Sequence, residues 1–243
     1  MPLRIAFDLD GVLADMDTEL VRHAEALFGE PMTRKLEERT ADAEDPAKPG
    51  DAKTAVDDVP VSTRLHMTAR QTRRLWQHVG SINGFWEGLK EIEPGTVARL
   101  AAVAADRRWE VIFLTKRPDT VGAIAQVQSQ RWLEAKGFAL PSVYVVQGSR
   151  GLIAAALHLD IVVDDRPENC LDVVVDSKAR AILVWRDDEK NLPATARRLG
   201  IGAVKTVAEC LDILTKVDSP EGDQPGIMAR VMKLLGLNET ARV

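Results

Sequence analysis

Phe7-Asp8-Leu9-Asp10-Gly11-Val12-Leu13 follows directly on the largely apolar run of residues 3–7, and the rest of the chain is best read outward from it. A short strand ends in two carboxylates one residue apart, and then in a glycine. Alternate residues of a strand share a face, and where the strand frays into a turn Gly11 frees the backbone to bring both carboxylates toward one pocket. Like charges so close call for a cation, and hard carboxylate oxygens suit Mg²⁺.

Further β-rich runs occur at residues 109–114, 142–146, 160–163 and 181–185, with a shorter one at 202–205. Each reads as a buried parallel strand. Helical spacing at 96–106, 119–136 and 151–158 alternates with them, which predicts right-handed crossovers and an α/β, doubly wound, Rossmann-like sheet. Such sheets bind ligands at the carboxyl ends of their strands. Asp164-Asp165 follows Ile161-Val162-Val163 and so opens at the same edge as Asp8. Thr115-Lys116-Arg117-Pro118 follows another strand and brings a hydroxyl and two cations there. Nucleophile, metal and donors for phosphoryl oxygens are thus expected together.

Residues 8–108 separate the first strand from the second, far more than the roughly 30 that a crossover unit needs, so an inserted helical cap is implied. The expected division is a core of 1–15 and 95–217, a cap of 16–94, and a linker with an amphipathic helix at 218–243. One cap helix is expected at 16–28, with Leu20, Val21, Ala24, Leu27 and Phe28 on one face and Gly29 as its stop. A second is expected at 62–79, with Leu75, Trp76 and Val79 in its stripe. Between them, residues 37–60 are acidic, carry Pro46, Pro49 and Gly50, and read as a mobile loop. The apolar stripe of 227–235 needs a surface, either its own domain or a homodimer partner.

Lys and Arg number 32 against 37 Asp and Glu in 243 residues, a formal charge of −5 with pI near 5.5. That balance argues against a nucleic-acid polymer and for a small anionic substrate. Two cysteines, Cys170 and Cys210, are too few for a disulfide framework or a thiolate zinc cluster. No apolar run reaches the ~18 residues of a membrane span, so no membrane partner and a cytoplasmic location are expected.

Taken in order, Asp8-Leu9-Asp10-Gly11-Val12, Thr115, Arg150 and Asp164-Asp165 resemble the four motifs of the haloacid dehalogenase superfamily. The resemblance implies a phosphatase whose Asp8 forms an aspartyl-phosphate. Asp10 would protonate the leaving oxygen and then activate water, and Thr115 would hydrogen-bond the phosphoryl group. Asp8, Asp164 and the backbone carbonyl of Asp10 would hold Mg²⁺, with Asp165 in support. One departure stands out, since Ser149-Arg150-Gly151 offers arginine where the superfamily usually has lysine. A guanidinium is planar and forked, so it clamps a phosphate without reproducing a lysine's point contact.

The run Gly84-Phe85-Trp86-Glu87-Gly88-Leu89-Lys90-Glu91-Ile92-Glu93-Pro94-Gly95, with Asp164-Asp165-Arg166-Pro167-Glu168, resembles the 5′(3′)-deoxyribonucleotidase branch. By that resemblance Phe85 and Trp86 would stack on a nucleobase, and the substrate would be a nucleoside monophosphate. Lys116 and Arg117 are expected to bind the transferring phosphate or a second anionic group. The other readings are phosphatase action on another small phosphorylated metabolite, or non-catalytic binding of a phosphate ligand.

Overall fold

A computed structural model describes residues 2–29 and 67–217 of the chain. The expected acidic loop at 37–60, the start of the second cap helix, and everything from 218 onward lie outside the described residues.

Strands β1 (Arg4–Asp8), β2 (Glu110–Thr115), β3 (Ser142–Val145), β4 (Ile161–Asp164), β5 (Arg180–Val184) and β6 (Gly202–Val204) form one parallel sheet in the order β3-β2-β1-β4-β5-β6. The doubly wound expectation holds. Period-two alternation sends Ile5, Phe7, Phe113 and Val163 into one apolar cluster, and Ala6, Ile112, Leu114 and Val162 into another on the opposite face. The first cluster takes in α3 (Thr96–Arg107), α4 (Ala125–Ala135) and α8 (Val207–Val217). The second takes in α5 (Arg150–Ala156), α6 (Pro167–Asp176) and α7 (Ala194–Arg198). Strand order reverses between β1 and β4, the crevice where open α/β sheets bind ligands.

Helix α1 (Met16–Phe28) starts at Asp15, whose carboxylate accepts from the Thr18 amide at 3.1 Å, and stops at Gly29, whose φ of 65° is left-handed. Helix α2 (Ala69–Gly80) opens on a capping box between Thr68 and Gln71. Their buried residues Leu20, Ala24, Leu75 and Val79 belong to the same apolar cluster as Ile5 and Phe113, so these two helices are packed into the core. The two chain crossings between cap and core also pair with each other. The Asp15 amide donates to the Lys90 carbonyl at 2.8 Å, the Ile92 amide to the Leu13 carbonyl at 2.9 Å, and Ala14 bridges Glu91 antiparallel.

Helix α4 begins at Ala125 rather than at 119. The intervening residues form a loop through Gly122, whose φ of +105° no helix tolerates, and Asp119 closes it by accepting from the Ala125 amide. Both cysteines are buried. Among the described residues no helix is long and apolar enough to cross a membrane.

Candidate active site

Asp8 is the last residue of β1 and is 6% exposed. Beyond it the chain turns at once, with the Leu13 and Ala14 amides both donating to the Leu9 carbonyl at 2.9 and 2.7 Å. Gly11 makes this turn with φ +85°, and a Cβ there would lie 2.1 Å from Asp165 Oδ2. The glycine is therefore required twice, for its backbone conformation and for the close approach of the second acidic pair.

Arg150 opens α5, which Ser149 caps by accepting from the Gly151 amide at 3.1 Å. It is 2% exposed, an uncommon state for an arginine. Its Nη2 donates to Asp8 Oδ1 at 2.5 Å, and its Nε stands 3.6 Å from Asp164 Oδ2. Nε and Nη1 have no hydrogen-bond acceptor among the described residues, which leaves buried donors beside the carboxylates. Asp164 is itself fixed, accepting from Asn169 Nδ2 with both oxygens at 3.0 Å and from the Arg166 amide at 2.9 Å.

Burial and the neighbouring Asp164 hold the Asp8 carboxyl well above its ordinary range, against the opposing pull of Arg150. Burial likewise raises Asp164. Asp165 is pushed up to about 8, by burial first and then by Asp164 and Asp17. One guanidinium thus fails to balance the acidic group. Among the described residues no three His, Cys, Asp or Glu side chains converge as a finished metal cage. The donor set still fits a hard divalent cation such as Mg²⁺, which retains several waters and takes only one or two carboxylates from the protein.

Asp10 is held from the other side. Thr115 Oγ1 donates to its Oδ2 at 3.1 Å, so the hydroxyl expected on the phosphoryl group is directed at this carboxylate. Arg117, expected to meet substrate, is 2% exposed and forks onto both Asp10 oxygens: Nε to Oδ2 at 2.9 Å and Nη2 to Oδ1 at 2.8 Å. Its Nη1 donates to Ser129 Oγ at 2.9 Å, and the guanidinium lies over Trp86 and Trp132, 4.9 and 5.9 Å from the ring centroids. Stacking and bidentate pairing suit arginine and not lysine.

Phe85 and Trp86 form a 3₁₀ turn (Phe85–Gly88) tucked against α4, and at 4% and 0% exposure neither offers a face to a base. The Trp86 amide donates to Gln128 and its Nε1 to the Pro118 carbonyl, while Phe85 meets it edge-on at 4.8 Å. Burying these rings under the cap overrides the stacking expected of them. Asp8, Asp10, Arg150 and Asp165 open onto a cleft of about 300 Å³ that exposed Lys116 also lines. Its apolar wall comes from Met16 and from Trp76 of α2, with the buried Trp86 behind Arg117.

Sequence reasoning did not assign Asn169, Ser129 or Trp76 to the site. Asn169 and Ser129 carried a usable signal, since each is polar on an otherwise buried helix face and so demands a partner.

No family model and no curated protein matches the chain. Solved structures do. A Thermotoga maritima protein named as a beta-phosphoglucomutase aligns over 88% of this chain and 99% of its own, at 20% identity and TM-score 0.50. A haloacid dehalogenase family hydrolase of Deinococcus radiodurans R1, solved with bound phosphate and sodium, covers 86% of this chain and 93% of its own, at 16% identity and TM-score 0.47. A Pseudomonas syringae hydrolase covers 90% and 100%, at 16% and 0.47. The structural neighbours are haloacid-dehalogenase-type proteins, and what the chain shares with them is the Rossmann-like fold.

Proposed function

We propose that this chain is a Mg²⁺-dependent phosphomonoester hydrolase working through an aspartyl-phosphate on Asp8. The observation that carries the reading is the buried Arg150, which ties Asp8 to Asp164 and keeps two donors unpaired beside the cleft. Such donors match the oxygens of a phosphoryl group.

Asp8 Oδ attacks phosphorus while the bond to the leaving oxygen breaks, and Asp10 passes a proton to that oxygen. Asp10, now a carboxylate, takes a proton from water, which attacks the aspartyl-phosphate and returns Asp8 with inorganic phosphate. Arg117 and Thr115 keep Asp10 in one orientation through both halves of this cycle. Mg²⁺, held by Asp8, Asp164, Asp165 and the Asp10 carbonyl, would neutralise charge on the carboxylates and on the phosphoryl oxygens.

For the substrate we favour a nucleoside monophosphate. The support is the resemblance of residues 84–95 to the deoxyribonucleotidase branch, together with a cleft that is lined by apolar Trp76 and Met16 as well as by Lys116. A sugar phosphate is the second reading, suggested by the beta-phosphoglucomutase name of the Thermotoga maritima neighbour.

Phosphate release from nucleoside monophosphates, sugar phosphates and an aryl phosphate, with Mg²⁺ or with chelator, tests both levels. Metal-dependent release that Asp8→Asn abolishes supports the mechanism, and the preferred substrate decides between the two readings. A folded protein that releases phosphate from none of them overturns the hydrolase proposal.

A further inference from the structure

Arg186 lies just beyond β5, far from any motif read in the sequence, yet it reaches the turn that carries Asp10. Its Nη1 donates to the Gly11 carbonyl, and its Nη2 to the Val12 carbonyl at 3.1 Å. The same Nη2 meets Glu93 Oε1 at 3.1 Å. Glu93 is held in turn by the start of α8, accepting from the Val207 amide at 2.9 Å and the Ala208 amide at 3.1 Å. At the other end, the Trp185 amide is bonded to the Val204 carbonyl at 2.7 Å, so the backbone leading into Arg186 is fixed by the sheet.

These contacts place one guanidinium on both chain crossings between core and cap. Gly11 and Val12 belong to the outgoing crossing and Glu93 to the returning one. The turn is wedged between two groups, with Asp165 against the Cα of Gly11 and Arg186 on its carbonyl. Arg117 and Thr115 fix only the carboxylate of Asp10. Nothing in that grip fixes the backbone behind it, which Arg186 does.

The geometry points to Arg186 as a positioning residue: it immobilises the Gly11–Val12 backbone and through it the reach of Asp10 into the cleft. Its side chain is 32% exposed, so the ion pair with Glu93 contributes little to global stability. The effect belongs to local order and to the catalytic step, where small misplacements are costly. This inference rests on the phosphatase reading for its kinetic consequence but not for its structural one.

The test compares Arg186→Met with the parent chain by amide exchange and steady-state turnover of an aryl phosphate. Exchange at Gly11, Leu13 and Ala14 is expected to accelerate by about tenfold or more, with β4 unchanged. Turnover should lose about tenfold or more in kcat with KM within about twofold, and the loss should vanish in an Asp10→Asn background. Should Arg186→Met not fold, Arg186→Lys keeps the charge but cannot fork to both carbonyls, and gives the same pattern at smaller amplitude. Turn amides that exchange at the parent rate overturn the proposal, as does an equal loss of kcat in the Asp10→Asn background. If the parent chain turns over nothing, the phosphatase reading falls, and exchange at the turn alone decides the role of Arg186.

Discussion

Arg117 grips Asp10 by both carboxylate oxygens, from a position sealed beneath Trp86 and Trp132. Both charges are largely withdrawn from water, so neither partner can be removed without stranding the other. Arg117→Met is expected to cost roughly 3–5 kcal/mol of stability, the usual penalty for breaking a buried pair. Arg117→Lys should fold better, yet lose much of kcat because an ammonium cannot fork. Denaturant melts with steady-state kinetics on both variants check this, and a lysine variant with unchanged kcat would show the fork to be dispensable.

The acidic group makes a prediction about pH. Asp8, Asp164 and Asp165 all bind protons more tightly in the folded chain than an ordinary Asp near 3.8 does, with Asp165 raised to about 8. A raised carboxyl favours folding while protonated, and that contribution is lost as pH climbs from the ordinary value through the folded one. In chelator, the melting temperature should therefore fall as pH climbs from about 4 through about 8, where Asp165 loses its proton. Mg²⁺ should raise it more at pH 8 than at pH 5, because binding must displace those protons. A Mg²⁺ shift that is larger at pH 5 would contradict the assignment of these carboxylates to the metal.

For substrate choice, Trp76 and Phe85 separate cleanly. Trp76→Ala removes an apolar wall of the cleft and should raise KM for nucleoside monophosphates several-fold, with little change for a small phosphate such as acetyl phosphate. Phe85→Ala instead opens a hole in the core at a cost of about 3–5 kcal/mol, with the ranking of substrates intact. A changed ranking in the Phe85 variant would restore the stacking role to that ring.

Arg150 can be tested by the departure it represents. Arg150→Lys keeps a cation between Asp8 and Asp164 and should retain at least about tenfold more activity than Arg150→Ala, which leaves the carboxylates uncompensated. Comparable losses in the two would mean that the forked geometry matters more than the charge.

The strands and the two acidic pairs were legible because both are local signals. A short, nearly continuous apolar run predicts a buried parallel strand, and the polar residues at its carboxyl end fall on the ligand-binding edge. Lys116 and Arg117 look alike in sequence and both border the cleft, yet one is exposed and the other is buried beneath two tryptophans. What separates them is the set of partners of Arg117, namely Asp10, Ser129 and two tryptophans, and no local pattern links these distant residues to it. Arg186 was out of reach for the same reason, since its partners Gly11 and Val12 lie 175 and 174 positions away. The aromatic pair misled because 3₁₀ geometry and the packing of α4, not ring chemistry, decide which way Phe85 and Trp86 face.

The apolar cluster that runs without a break from Ile5 and Phe113 into Leu20, Val79 and Trp86 bears on how such a chain could be re-engineered. The inserted helices, which lend Met16 and Trp76 to the cleft, are attractive units to exchange. Here a graft would need to bring its own fillers for the space beneath the sheet, and a tryptophan to roof Arg117. Otherwise the new cleft lining would arrive with a hollow beneath Asp10 and Arg117.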